Sequence, residues 1–390
     1  MLIDSFEYMR GKKVILLYSG GLDTVYMSMK LREHDASVIA VKVLLGEDPS
    51  AVRRARELAA LASITYVEVD RVGQFVEEYL KTALLNGYYA DNLYPISASI
   101  SFPLIARVGV DMAREVGAEA VCHGSDVFQN SMTRFNRSIG FLAPDLGIAA
   151  LSLIDDSTRE AKQDYLRERS IDTTGFRYSV DGNLWCSCVE GGDFDLPDTP
   201  ANFTTLTAPR TSSVQPGSKD IIITFEHGLP VAIDEQRGPM EEIIAHLNRT
   251  GADYALGQFV SWEDTVMFKA REIRLAPAAE ILHTALAALI NCTLSIKEKE
   301  VKSALATVWQ GLALKGDWYC DLAGSITSFN QSLSHRLTGK VVLRLNSNKC
   351  IVVAASSPGL QKNLSVKAAS DPTFMKSAHF AFGRLAEVNS

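Results

Sequence analysis

The sequence predicts an α/β fold: a doubly wound parallel-sheet domain, then an α+β domain and a C-terminal arm. Three observations carry this. Short β-branched apolar runs alternate with helix-forming stretches through roughly the first 165 residues. The first of these runs breaks at Ser19-Gly20-Gly21 and resumes as a helix. Beyond about residue 170 the alternation gives way to hairpins and separate amphipathic helices.

Taken in order, the run 14–18 (VILLY) is the first strand, and the chain from Val25 carries helix formers. A second strand spans 36–45, before Gly46, Glu47 and the helical RRARELAAL; a third, 64–70, precedes the helical FVEEYLKTALL. A fourth, 119–124, follows the helix begun by PLIAR. Strands joined through helices run parallel, and such a sheet places its ligand at the carboxyl ends of its strands. Residues 197–217, rich in Thr, Ser, Pro and Asn, mark a change of architecture. After them, 220–233 alternates as a hairpin around His227-Gly228, and Met240, Ile243, Ile244 and Leu247 recur at helical spacing. Ile326, Phe329, Leu333 and Leu337 predict a helix stopping near Gly339, followed by strands at 340–346 and 350–355. The domains expected are 1–170, 171–360 and an arm 361–390, whose Phe374, Met375, Phe380 and Phe382 suit packing on a neighbouring subunit.

Net charge is −7, the wrong sign for a nucleic-acid partner. No apolar run reaches the ~20 residues of a membrane span, and the first residues have no apolar secretion signal. Six cysteines in 390 residues are too sparse for a disulfide framework, so the expectation is a cytoplasmic protein with reduced thiols.

The chemistry-bearing segment is Ser19-Gly20-Gly21-Leu22-Asp23-Thr24, between a buried strand and a helix. Glycines let backbone N–H groups turn toward an anion, the helix N-terminus adds positive potential, and Ser19 and Thr24 add hydroxyl donors. Asp23 is suited to hold Mg²⁺ beside the phosphates. The spacing matches neither GxxxxGK[ST] nor GxGxxG. The bland alternative is a glycine turn with a Ser/Asp helix cap.

SGGLDT resembles the pyrophosphate loop of the N-type ATP pyrophosphatases. The chain as a whole resembles the argininosuccinate synthetase family. The resemblance rests on VILLYSGGLDT, AVRRARELA, Tyr94 with Ser99 and PLIAR, His123-Gly124, Arg134-Phe135, LAPDL (142–146), YSVDGNLW (178–185), Glu190-Gly191, Lys269 to Pro277 and WYCDL (318–322). It implies an AMP- and pyrophosphate-forming ligase: a ureido oxygen of citrulline attacks the α-phosphorus of ATP, and the amine of aspartate then displaces AMP. Such chemistry is positioning and charge stabilisation without a covalent enzyme intermediate. The resemblance further implies a tetramer, small amino-acid-like substrates and ATP with Mg²⁺. Tyr18, Ser19, Gly20, Gly21, Leu22, Asp23 and Thr24 would bind the phosphates, Val43 would lie on the adenine side, and Gly124 would admit the nucleotide. Asp23, Ser19 and Arg134 are the catalytic candidates.

The substrate segments depart from the family pattern. Where it reads G-x-T-x-K-G-N-D-x-x-R-F, this chain keeps Gly124, Asn130, Arg134 and Phe135 but has Asp126, Phe128, Gln129 and Ser131 at the Thr, Lys, second Gly and Asp. Ala98 replaces a Thr, and Ala150-Leu151-Ser152 stands for a Pro-Trp-Arg run. On the citrulline side Tyr94, Ser99, Arg134 and Ser179 match, a Ser is Cys188, a Tyr is Arg274, and a Glu falls at Trp262 or Glu263. Trp262 in that place would fill the pocket with an aromatic plate, and Arg274 would invite an anion. The expectation is a retained adenylation engine with an altered acceptor and amine. The alternatives are true argininosuccinate synthesis, a sulfur- or ammonia-transferring pyrophosphatase using Cys186 and Cys188, or a non-catalytic nucleotide-binding paralogue. Cys122, Trp185, Trp309 and Trp318 read as core, and Lys297–Lys302 as a solvated helix face.

Overall fold

In the computed structural model, residues 1–90, 93–192, 198–201, 203, 217–265 and 269–359 are described, with 372–373, 376–377 and 379–380. The arm expected at 361–390 lies almost wholly outside the described residues, as does most of 197–217.

The first strand, β1 (Lys13–Leu17), leads through the glycine turn into α1 (Leu22–Glu33). Then come β2 (Ser37–Leu44), α2 (Pro49–Leu61) and β3 (Thr65–Asp70). Helix α3 covers 72–86, and a short hairpin, β4 (Tyr89–Ala90) with β5 (Tyr94–Pro95), precedes α4 (Ala98–Val116). The domain closes with β6 (Ala120–His123), α5 (Asn130–Leu142), β7 (Gly147–Ala150) and α6 (Arg159–Arg167). The sheet order is β3-β2-β1-β6-β7, all parallel. Because helices cover both faces, Val14–Leu17 of the central strand is buried, which is why this part of β1 reads as an unbroken apolar run. Val14, Leu16 and Tyr18 face α1 and α2, while Ile15 and Leu17 face α3 and α4. Close packing on the second face needs Gly109 of α4, where a Cβ would sit 2.6 Å from Leu17. Local signals set the helix ends: Asp48 accepts from the Ser50 N–H at 2.7 Å with Pro49 opening α2, and Gly117, at φ 65°, ends α4. Strand β7 escaped the sequence reading because Gly-Ile-Ala-Ala carries a single β-branched residue.

The rest of the chain contributes two antiparallel sheets. One has the order β13-β14-β9-β8, from β8 (Ser179–Gly182), β9 (Ser187–Glu190), β13 (Gln258–Asp264) and β14 (Lys269–Leu275). The other, β12-β11-β10-β15-β16, comprises β10 (Ser218–Glu226), β11 (Leu229–Ile233), β12 (Gln236–Arg237), β15 (Gly339–Asn346) and β16 (Lys349–Ser356). It contains both hairpins read from the alternation. Helices α7 (Met240–Asp253), α8 (Pro277–Thr293), α9 (Ile296–Leu314) and α10 (Asp321–Ser334) complete the fold. Helix α10 stops five residues before Gly339, which opens β15 instead of ending the helix; Leu337 is buried from the connecting turn. The run 297–302 lies on α9 as expected, although Lys302 turns inward to bond Leu85 O and Asn330. Trp185 and Trp309 are core, and Trp318 packs against it.

Candidate functional site

The parallel sheet changes direction of build at β1, which has β2 on one side and β6 on the other. That is the switch point where a doubly wound sheet opens a crevice. A cleft of about 830 Å³ lies there, walled by the β1–α1 turn, the ends of β2 and β6, the start of α5 and the 178–190 hairpin with β13 and β14. Its volume suits a nucleotide and a small second molecule.

The end of the cleft expected to take the nucleotide is formed by the glycine turn. Gly20 has φ +81°, and a Cβ there would lie 2.6 Å from Ala55 of α2, so only glycine fits both the backbone and the space. The Gly21 N–H donates to Ser19 Oγ at 3.1 Å, and the Ser19 and Thr24 hydroxyls are 3.2 Å apart. No side chain caps α1, which leaves its first N–H groups for an anion. Leu22 is buried on the same face of the sheet as Val14 and Leu16, and Asp23 and Val43 line the cleft. Gly124 packs on the loop: a Cβ there would meet Thr24 Cγ2 at 2.9 Å. Tyr18 is buried beneath, and burial raises its hydroxyl pKa. His123, at the end of β6, is held by Asn136 at 2.8 Å, and burial lowers its pKa to about 4, so it stands neutral on the wall.

One partner of Asp23 has no signal in the sequence. Lys162, on α6 and 139 positions away, donates to Asp23 Oδ1 at 2.8 Å and is itself buried.

At the other end, β13 and β14 carry Ser261, Glu263, Glu272 and Arg274. Alternation along β13 turns Glu263 inward to a buried ion pair with Arg134, while Trp262 points out and is 46% exposed. Of the two, the acid faces the cleft, and Trp262 forms no plate in the pocket. Arg134 also donates to Leu314 O at 2.9 Å. Arg274 is not offered to an incoming anion either. It is buried behind the wall, ion-paired with Glu272, 3.0 Å from Ser261 Oγ, 3.3 Å from Pro95 O and 4.8 Å from the Tyr94 ring. Burial raises the Glu272 carboxyl pKa even against the pull of Arg274. Tyr94, Ser99 and Cys188 lie buried in the same layer, whereas Ser179 reaches the cleft.

The segment 124–134 is tied to itself and to the second domain. Asp126 Oδ1 accepts from the Phe128 N–H at 3.0 Å, and Phe128 is 54% exposed. Ser131 donates to Gln129 at 3.3 Å, Gln129 donates to Glu190 at 2.5 Å, and Asn130 donates to Asp264 O at 2.7 Å. Asp126, Asn130 and Ser131 thus line the cleft among polar bonds, and the lysine of the family pattern has no counterpart there.

Cys186 and Cys188 are buried, and burial pushes the Cys186 thiol up to about 11 and raises Cys188 as well. Neither is poised as a thiolate. Among the described residues no group of three or more His, Cys, Asp and Glu could hold a metal, and no helix is long and apolar enough to cross a membrane.

A glycine turn of this design at the switch point of a doubly wound sheet defines an α/β protein with an anion-binding cleft, walled on its other side by the second half of the chain. Comparison with known proteins agrees. Residues 13–172 match the argininosuccinate synthase N-terminal HUP domain, and 178–378 match the argininosuccinate synthase C-terminal domain. The chain is 32% identical to the argininosuccinate synthase of Pyrobaculum aerophilum over 368 residues, 92% of each protein. It is 34% identical to that of Rhodococcoides fascians over 356 residues, 88% of this chain and 89% of the relative. The chain belongs to the argininosuccinate synthase family. It is a C–N bond-forming ligase that converts ATP to AMP and pyrophosphate.

Proposed function

We propose that the enzyme adenylates a ureido- or amide-type carbonyl oxygen and condenses it with an amine, using a substrate pair altered from citrulline and aspartate. ATP occupies the cleft with its phosphates on Ser19–Thr24, its adenine toward Val43 and its α-phosphorus facing Arg134 and the acceptor. Mg²⁺ fits as an ion carried by the phosphates, with Asp23 as its protein ligand, since this cation keeps most of its water and needs no cage of side chains. It would supply charge neutralisation for the departing pyrophosphate.

The observation that carries the altered pair is the buried Arg274–Glu272 pair beneath Tyr94. The guanidinium behind the wall already neutralises Glu272, the acid of that pair that lines the cleft. With Arg134 committed to Glu263, the pocket holds two internal ion pairs, and a zwitterionic head group would have to break at least one. An acceptor that is shorter, or lacks the amino-acid head group, avoids that cost. On the amine side Asp126 adds negative charge and the segment 124–131 has no cation, which supports an amine poorer in carboxylates than aspartate. Glu263 and Arg134, kept on the cleft wall, favour the second reading, argininosuccinate synthesis itself.

Pyrophosphate and AMP release from MgATP, measured across citrulline with aspartate and across other ureido, amide and amine compounds, separates them. The altered pair predicts silence from citrulline with aspartate and turnover with another combination. Turnover with citrulline and aspartate, giving a product of argininosuccinate mass, overturns it.

A further inference from the structure

The phosphate loop contains an electrostatic contradiction. A helix N-terminus and inward N–H groups attract an anion, but Asp23, at the second position of α1, places a carboxylate in the same spot. In the absence of a metal ion that charge repels a triphosphate. The structure holds a second charge there. Lys162 reaches from α6, its side chain 8% exposed, and donates to Asp23 Oδ1 at 2.8 Å, while Asp23 remains 37% exposed toward the cleft. The other nearby carboxylate, Asp155, accepts from the Tyr26 hydroxyl at 2.8 Å and the Ser157 N–H at 2.8 Å and feels the Lys162 charge at longer range, while the hydrogen bond of the ammonium goes to Asp23. The ammonium is therefore directed at Asp23, and α6 packs on α1 through the Tyr26–Tyr165 ring contact at 4.9 Å, which fixes its approach.

We propose that Lys162 is a positioning residue of the nucleotide site: it holds the Asp23 carboxylate at the start of α1 and cancels its charge, so that the loop accepts a pyrophosphate group before a metal ion arrives. When Mg²⁺ enters with the nucleotide, the metal takes over the neutralisation and Lys162 is left to fix the carboxylate's direction. This rests on the placement of the phosphates at Ser19–Thr24.

The test is binding of methylenediphosphonate to the full chain by calorimetry, in EDTA and in excess Mg²⁺, for wild type, Lys162→Met, Lys162→Arg, Asp23→Asn and the Asp23→Asn/Lys162→Met double variant. Met keeps the length and the apolar stem of the lysine. Expected is a loss of about tenfold for Lys162→Met in EDTA that shrinks to threefold or less in Mg²⁺. Lys162→Arg should match wild type, and the Met substitution should have no effect in the Asp23→Asn background. Equal losses in both buffers, a loss that persists without Asp23, or no loss at all would each overturn the proposal. A fall in thermal stability alone does not imitate the expected result, because damage to the fold does not depend on the metal. Wild-type protein that binds the diphosphonate in neither buffer would overturn the phosphate placement, and the role of Lys162 with it.

Discussion

Arg274 and Glu272 show how much one residue's surroundings decide. As a sequence letter, Arg274 is a free positive charge; in the fold it is a buried charge already paired. Removing one member of such a pair leaves the other desolvated and uncompensated, a loss of about 3–5 kcal/mol. Arg274→Met should therefore lower the urea-unfolding free energy by that amount, and the Glu272→Leu/Arg274→Met double variant should recover most of it. An Arg274→Met protein as stable as wild type would mean that the pair is not buried in solution. The thiols make a quieter case. With Cys186 at about 11 and Cys188 also raised by burial, Cys186→Ser and Cys188→Ser should each keep AMP formation within about twofold of wild type, since a protonated buried thiol is a poor nucleophile. Abolished turnover in either would revive sulfur transfer. At this scale the sequence made the geometry of the glycine turn legible, because SGGLDT is local and its shape is set by its own backbone. It could not name Lys162, since no pattern links a lysine to an aspartate 139 positions earlier.

Among the elements, the β1–turn–α1 unit is the most constrained. Gly20 combines a positive φ with a neighbour 2.6 Å from where a Cβ would stand, so Gly20→Ala must shift either the turn or the start of α2. Weakening of MgATP binding by at least about tenfold is expected, the effect of displacing a row of N–H donors by a fraction of an ångström. Gly140→Ala, within α5 where a Cβ meets nothing within 4 Å, is the matched control. It should leave binding unchanged and raise stability by about 0.5–1 kcal/mol. If both variants bind MgATP like wild type, the loop is not the phosphate site. Strands β13 and β14 teach a complementary lesson: a one-residue ambiguity in matching 262–263 exchanges an inward acid for an outward tryptophan, and only the observed pairing of Trp262 with Arg271 and Glu263 with Ala270 settles it.

Across the whole molecule, two histidines link stability to pH. Burial holds both His123 and His283 at about 4, below the 6.5 of an unfolded imidazole. The unfolded chain therefore takes up protons that the folded chain refuses as pH falls below 6.5. They leave stability unchanged above pH 6.5 and lower it progressively toward pH 4, by roughly 3 kcal/mol for each histidine. Thermal midpoints measured from pH 7.5 to 4.5 should fall on the acid side, and His283→Gln should flatten part of that slope. A slope unchanged by the substitution would remove His283 from the account.

The sequence by itself determined the doubly wound first domain, the glycine turn and the family, because these rest on local periodicity, on backbone conformation and on motifs that keep their spacing along the chain. It determined also that segments 124–134 and 262–274 depart from the family pattern. Only the tertiary structure decided which way the side chains at those places point. Arg274 went behind the wall, Trp262 out to solvent and Glu263 onto Arg134, because strand alternation and pairing between distant segments assign side chains to faces, and a buried charge must find its partner wherever the fold brings one.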